Sequence, residues 1–157
     1  MICSRFWPEK MTEKGAITLE QEVREESYQL TMVCVDRYEQ NVMQGRLYNP
    51  SHRGEICFFS LMEFLRKMES MLDRMQYPQS YVAMRAFGEE GAPLECVAAQ
   101  GEKREGVCAT FAVRVLFRQN ASWQGRVSWL EGGKEESFRS ALELIFLMDS
   151  ALKQGKE

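Results

Sequence analysis

Hydrophobic and polar residues alternate along residues 111–117 and again along residues 123–129. Alternation at every second residue is typical of a β-strand with one buried face. Asn120-Ala121-Ser122 lies between the two stretches and supplies turn residues. The pattern predicts a β-hairpin whose inward positions are Phe111, Val113, Val115 and Phe117 on the first strand and Trp123, Gly125, Val127 and Trp129 on the second.

The hydrophobic period lengthens to about 3.6 residues after the hairpin, which indicates a helix. This helix is predicted from about Glu135 to near Lys153, because Glu135 and Glu136 suit the positive first turn of a helix. Its predicted inward positions are Phe138, Ala141, Leu142, Ile145, Met148, Ala151 and Leu152.

The first half of the chain shows the same succession of patterns. Strands are predicted over about Tyr28 to Arg37 and Met43 to Tyr48, with a turn around Gln40-Asn41. A helix follows from about Cys57 to Met75, with Phe58, Leu61, Met62, Leu65, Met68 and Leu72 inward. Further strands are predicted over residues 17–23, 80–87 and 94–100, and residues 1–14 are predicted to form a flexible arm.

An internal duplication explains why the two halves share one pattern. When the chain is laid on itself with Gln44 over Gln124, residues 31–72 align with residues 111–152 without a gap. Twelve of these 42 positions are identical, where average composition would give roughly two or three. The identical residues in the first half are Val33, Val35, Gln44, Gly45, Arg46, Glu55, Phe58, Ser60, Glu63, Met68, Ser70 and Leu72. The repeats are predicted to span about 28–76 and 108–153.

These elements predict an α+β fold. Two duplicated antiparallel sheet-plus-helix units, each with strands followed by a helix, are expected to pack with pseudo-two-fold symmetry, because a lone unit would leave its apolar sheet face half covered. The chain has 157 residues and is 45% hydrophobic, which suffices for one core. Residues 15–157 are therefore predicted to form a single domain.

Composition narrows the classes of function. The net charge of -3 gives no general attraction to polyanions. The first residues lack the apolar run of a signal peptide and no later stretch is long enough to span a bilayer, so we expect a cytoplasmic protein that does not bind membranes. Five scattered cysteines without a Cys-x-x-Cys pair and a single histidine suggest no disulfide framework and no metal site. No cofactor is expected.

Candidate catalytic groups are few, and no motif for phosphate loops, dinucleotides or nucleophile elbows occurs. His52 and Cys57 are close in sequence and are candidates for a thiolate–imidazole pair, although turn and core roles are favoured. Glu63 and Glu143 occupy equivalent helical positions, where acid–base chemistry is less favoured than a surface or capping role. We therefore expect that the protein is not an enzyme; a small-molecule enzyme with a site between the halves is the third alternative.

The triplet Gln-Gly-Arg occurs in both repeats, at residues 44–46 and 124–126. Strand alternation places both glycines on the apolar face, where a missing side chain permits a close approach, and points glutamine and arginine to the opposite face. That polar face is the candidate binding site, and its predicted members are Gln44, Arg46, Tyr48, Arg114, Arg118, Gln124 and Arg126.

Three roles are open for this face. The favoured role is structural, with glutamine and arginine making cross-strand hydrogen bonds that fix the register. Alternatively, arginine could pair with phosphate and aromatic rings could stack on the bases of single-stranded nucleic acid. The face could also form a homodimer interface, to which Trp123 or Trp129 would contribute.

The strands-then-helix unit, occurring twice, resembles the architecture of the purine-rich-element-binding (Pur) repeats. The resemblance implies single-stranded DNA or RNA binding on sheet faces, and no residue motif accompanies it. Taken together, the sequence predicts a non-enzymatic binding or interaction module that associates with itself or with another protein; the alternative is single-stranded nucleic-acid binding on the Gln/Arg face.

Overall fold

The computed structural model describes residues 28–88 and 104–156 of the chain. These residues form an α+β fold with six strands and two helices, which confirms the predicted class. The elements in chain order are β1 (Leu30–Glu39), β2 (Val42–Tyr48), β3 (Ile56–Phe58), α1 (Leu61–Met75), β4 (Ala109–Phe117), β5 (Gln124–Trp129), β6 (Lys134–Phe138) and α2 (Ala141–Gln154).

All six strands belong to one antiparallel sheet, in the order β3-β2-β1-β4-β5-β6. Strands β1 and β4 join its two halves, with Val33 opposite Phe111 and Thr31 opposite Val113. This pairing satisfies backbone groups that would otherwise form an open edge on each half. The structure therefore does not confirm a packing of two separate sheet-plus-helix units, because the strands of both halves share one sheet.

Both helices pack on the same face of the sheet. One hydrophobic cluster contains Phe64 and Met68 of α1, Leu144 and Met148 of α2, and alternate strand residues. The strand residues in this core are Val33, Val35, Tyr38, Met43, Leu47, Ile56, Phe58, Ala109, Phe111, Val113, Val115, Val127 and Phe138. We call the face that carries the helices the inner face and the opposite one the outer face.

The two predicted hairpin turns are confirmed. Gln40 and Asn41 join β1 to β2 with φ of 51° and 63°, and Asn120 and Ala121 have φ of 55° and 53° between β4 and β5. Two consecutive residues in the left-handed region match the twist of the flanking strands. The turns therefore favour the observed strand pairing.

Both helices begin later than the sequence pattern predicted. Residues 56–58 and 134–138, which the prediction placed at or before the first helical turn, form the edge strands β3 and β6. The helices start after Ser60 and Ser140, whose hydroxyls accept hydrogen bonds from the backbone N–H groups of Glu63 at 3.2 Å and Glu143 at 3.1 Å. Serine N-caps of this kind fix where a helix starts.

The later start also shifts which helical residues are buried. The predicted inward positions Leu61, Met62 and Leu142 are exposed, whereas Phe64 and Leu144 are fully buried. The prediction placed Phe58 and Phe138 on the helices, but both are inner-face strand residues. Later predicted inward positions are buried, namely Met68, Leu72, Met148, Ala151 and Leu152. The predicted phase was therefore wrong only at the first turn of each helix, where residues of the preceding strand had been counted with the helix.

The predicted strand over residues 80–87 is wrong. Only an isolated bridge between Ser80 and Arg118 involves this segment, and its large side chains Tyr81, Val82, Met84 and Phe87 are exposed. Apolar residues on both sides of the segment have no layer to pack against within the described residues. The predicted strands over 17–23 and 94–100 and the predicted arm over 1–14 lie outside the described residues.

Candidate interaction surfaces

The two triplet glycines lie on the inner face, as predicted, and each lies against a neighbouring strand. A Cβ atom on Gly45 would be 2.0 Å from the carbonyl oxygen of Cys34, and one on Gly125 would be 2.0 Å from that of Arg114. Both glycines pair with the valine that precedes a register shift, Val35 in β1 and Val115 in β4. Such a shift is a β-bulge, which bends the bulged strand and increases its local twist.

The first-half arginine of the triplet is the centre of a cluster on the outer face that we call the Arg46 cluster: Asp36, Arg46, Tyr48 and Glu55. The Arg46 guanidinium donates to both carboxylate oxygens of Asp36, at 2.8 and 3.1 Å, and to the Tyr48 hydroxyl at 2.7 Å. The Tyr48 hydroxyl in turn donates to Glu55 at 2.5 Å. Arg46 and Tyr48 are therefore both engaged in hydrogen bonds within the protein.

The pKa values of two groups in or beside the Arg46 cluster, Tyr48 and Cys34, are raised. Burial, followed by the hydrogen bond to Glu55, raises the pKa of Tyr48 to about 12. The pKa of the Cys34 thiol, whose residue pairs with Arg46 across the strands, rises to about 11, chiefly through burial. Both groups are consequently uncharged at neutral pH.

The Arg46 cluster also forms hydrogen bonds with residues 104–108, which lie against the outer face. Arg46 donates to the carbonyl oxygen of Glu105 at 2.9 Å, and Asp36 accepts from the backbone N–H of Val107 at 3.3 Å. The Arg104 guanidinium lies 5.8 Å from the centre of the Tyr48 ring. This part of the outer face therefore makes contacts within the protein itself.

The second-half arginine of the triplet has a different environment. The Arg126 side chain is 63% exposed and lies 3.5 Å from Glu135, and Arg114 stands directly opposite it on β4. Gln124 is bound to the backbone of Gln119 through two hydrogen bonds of 3.1 Å. Of the seven predicted residues, only Arg114 and Arg126 are brought together on this half of the outer face.

Arg118 does not belong to the outer face, contrary to the prediction. It is only 4% exposed and reaches helix α1, where its guanidinium donates to Glu69 at 2.9 Å and to Asp73 at 2.6 Å. It also donates to the carbonyl oxygen of Pro78 at 2.7 Å. Arg118 therefore links the end of β4 to the first helix.

A bulge in β4 explains why Arg118 was assigned to the wrong face. The register shift between Val115 and Phe117 adds one residue to β4 and reverses the side-chain alternation after it. Phe117, which was predicted inward, is accordingly exposed, and Arg118 is buried. Strict alternation from Arg114 could not predict this reversal.

A second contact of the same kind links the first half of the sheet to helix α2. Tyr38, which follows the bulge of β1, donates to Asp149 of α2 through its hydroxyl group. In the alignment of the two halves, Glu69 corresponds to Asp149 and Tyr38 corresponds to Arg118. Each half of the sheet therefore holds the helix of the other half, and Trp123 strengthens one of these contacts by donating to Glu69.

The candidate catalytic residues show no activated arrangement. Burial raises the pKa of the Cys57 thiol, whereas a cysteine nucleophile needs a lowered one. The pKa of His52 is lowered by burial and by the charge of Arg74. Glu63 and Glu143 each accept a hydrogen bond from a backbone N–H at their own helix start, that of Phe59 or Arg139, at 2.7 Å. They are capping residues on separate helices.

Metal-binding clusters and membrane-spanning helices are both missing from the part of the chain that the structure describes. Within residues 28–88 and 104–156, no group of three or more His, Cys, Asp or Glu side chains is arranged to hold a metal ion. No helix in the same ranges is long and apolar enough to cross a membrane.

The side of α2 that faces away from the sheet is an apolar surface. The sequence pattern had placed one of its residues, Leu142, inward. Leu142 and Phe146 lie one helical turn apart and are 60% and 61% exposed. With Arg139, Ser140 and Glu143 they line a shallow, open depression. The uninterrupted apolar run of residues 144–148 was the sequence signal for this surface, because a helix with only one buried face has no need of it.

No protein-family model matches this chain, and no curated protein or solved structure is significantly similar to it. The resemblance to the Pur repeats therefore stays a prediction drawn from the order of strands and helices.

Proposed function

We propose that the protein is a non-enzymatic interaction module that associates with a second copy of itself through the side of α2 that faces away from the sheet. The observation that carries this proposal is the exposed pair Leu142 and Phe146 on a helix whose opposite side is already buried in the core. Exposed neighbouring apolar side chains are costly in water and commonly mark contact surfaces. Arg139 and Glu143 supply opposite charges beside this pair, which suits a self-complementary interface.

Comparison of the two helices supports the choice of α2 over α1. Helix α1 carries Arg66 and Lys67, whereas the aligned residues of α2 are Phe146 and Leu147. The side of α1 that corresponds to the apolar surface of α2 therefore carries the cation Arg66 in place of Phe146, whereas Leu147 packs against the core. The two helices occupy equivalent positions in the two halves, so this difference in their exposed residues supports a contact role for α2.

We also propose that the fold consists of a duplicated sheet-plus-helix unit whose two copies are related by pseudo-two-fold symmetry. Several equivalent features support it, namely the Ser60 and Ser140 caps, the bulges at Val35 and Val115, and the crossed contacts of Arg118 and Tyr38. A symmetric scaffold needs the same packing solution twice, which accounts for the repeated glycine of the triplet.

Self-association is tested by measuring molar mass with light scattering across a dilution series. We expect a dimer that is little affected by salt, because its contact is mainly apolar. Leu142→Asp is expected to weaken dimerisation by about 2 kcal/mol, roughly thirtyfold in Kd, since it places a charge in the contact.

Met62→Asp is the matched control, because Met62 is the equivalent residue of α1 and is equally exposed, at 62%. It should leave the molar mass unchanged. A wild-type protein that is monomeric at the highest concentration measured, or equal effects of the two variants, would contradict the proposal.

A second candidate function is single-stranded nucleic-acid binding on the outer face of β4 and β5. The specific observation is the placement of Arg114 directly opposite Arg126. Guanidinium groups on neighbouring strands can donate hydrogen bonds to the same phosphate group. The acidic residues Glu135 beside Arg126 and Asp36 and Glu55 beside Arg46 weaken this candidate.

The nucleic-acid candidate predicts binding of a labelled single-stranded oligomer, measured by fluorescence anisotropy at low and moderate salt. Affinity should fall as salt rises, and Arg126→Ala and Arg114→Ala should each reduce it by several-fold. Arg139→Ala removes the same charge from the helix side and is expected to have little effect. Absence of binding at low salt would remove this candidate.

A further inference from the structure

We propose that two copies of the chain dock with their α2 helices antiparallel across a two-fold axis, so that Arg139 of each copy meets Asp149 of the other. This inference rests on the proposed self-association and adds its geometry. The four residues concerned, Arg139, Leu142, Phe146 and Asp149, are called the α2 stripe.

The spacing of the α2 stripe is what gives it this symmetry. Leu142, Phe146 and Asp149 follow one another at intervals of four and three, which places them along one side of α2. Arg139 lies just before the N-cap residue Ser140 and lines the same depression as Leu142 and Phe146. The stripe is centred on residue 144: residues 142 and 146 are each two positions from it, and 139 and 149 are each five. Antiparallel pairing about that centre brings Leu142 of one copy against Phe146 of the other.

The charges at the two ends of the stripe are opposite and accessible. The Arg139 side chain is 89% exposed and pairs with Glu143 of its own chain at 3.1 Å. The Asp149 side chain is 28% exposed, and hydrogen bonds from Lys153 and Tyr38 lower its pKa, so it is ionised at neutral pH. A carboxylate has about four lone-pair sites and can accept a further donor.

Only the antiparallel arrangement makes use of this complementarity. A parallel arrangement would place Arg139 opposite Arg139 and Asp149 opposite Asp149, which is repulsive at both ends. The α1 helix offers no equivalent stripe, because Phe59 stands in place of Arg139 and Arg66 in place of Phe146. An isologous pair of α2 helices also gives a closed dimer, in which no further copies can add.

Charge reversal tests the orientation. Arg139→Asp and Asp149→Arg should each raise the Kd of the homodimer by about tenfold, because each places two like-charged pairs across the axis. In an equimolar mixture of the two variants, the heterodimer regains opposite charges at both ends. We expect differently tagged chains of the two variants to associate with a Kd within about threefold of the wild-type value.

The possible outcomes separate the orientation from self-association itself. Far-UV circular dichroism of each variant establishes that it is folded, which matters because Asp149 also binds Tyr38 and Lys153. If both variants dimerise less well and the mixture does not recover, the antiparallel contact is refuted while self-association stands. If neither variant alters a dimer that Leu142→Asp dissociates, the contact is likewise refuted. A monomeric wild-type protein would remove both proposals.

Discussion

Replacing Gly125 with alanine is expected to destabilise the protein by about 3 kcal/mol, and Gly45→Ala should act in the same way. The added Cβ would lie 2.0 Å from a backbone carbonyl oxygen of the adjacent strand in each case, and at Gly125 it would also meet the Phe138 ring at 3.0 Å. A backbone atom in a paired strand cannot move aside without breaking ladder hydrogen bonds. Chemical denaturation followed by circular dichroism would measure the loss.

Gly88→Ala is the control for this prediction. Among the described residues, a Cβ on Gly88 meets no atom within 4 Å, and the Gly88 backbone is not in the left-handed region. The substitution should change the free energy of unfolding by no more than about 0.5 kcal/mol. Equal losses at Gly88 and Gly125 would show that the alanine effect comes from chain flexibility and not from the close approach of the strands.

The sequence predicted the strands and turns of the paired hairpins well, because strict alternation and two-residue turn signals are local properties. Val33 and Val35, Val113 and Val115 all lie in the core as expected. What local patterns could not predict was the pairing of β1 with β4, which joins the halves into one sheet. That pairing depends on which strand edges meet in three dimensions.

The start of each helix was available in the sequence and was missed. Ser60 and Glu63 form a Ser-x-x-Glu pattern, and Ser140 and Glu143 repeat it at the aligned positions of the second half. This spacing is typical of a helix N-terminus, where the two side chains satisfy exposed backbone N–H groups. Phe58 and Phe138 suit a helical period as well as a strand, so hydrophobic spacing alone favoured the earlier start.

The candidate site was predicted less well than the fold. Alternation placed Arg46 and Arg126 on the outer face correctly, but it could not show that Arg46 is held by Asp36 while Arg126 is exposed. Asp36 is the extra residue of a bulge, and a bulge leaves no clear mark in a single sequence. The same reason explains why Arg118 was assigned to the wrong face.

Arg118→Met is expected to destabilise the protein by about 3 kcal/mol, at the lower end of the range for breaking a buried ion pair. The variant keeps most of the side-chain volume but leaves Glu69 and Asp73 without their guanidinium partner, and it removes the donor to the carbonyl oxygen of Pro78. The effect stays below that of a fully buried pair because the Asp73 side chain is itself well exposed. Equilibrium denaturation would measure it.

Arg126→Met provides the contrast, because it removes the same charge from an exposed side chain whose nearest carboxylate is 3.5 Å away. Exposed pairs of this kind contribute about 0–1 kcal/mol. Arg118→Met combined with Glu69→Gln should recover part of the loss, since it removes one of the carboxylates left unpaired. Similar losses for Arg118→Met and Arg126→Met would contradict the assignment of Arg118 as the residue that holds helix α1 to the second half of the sheet.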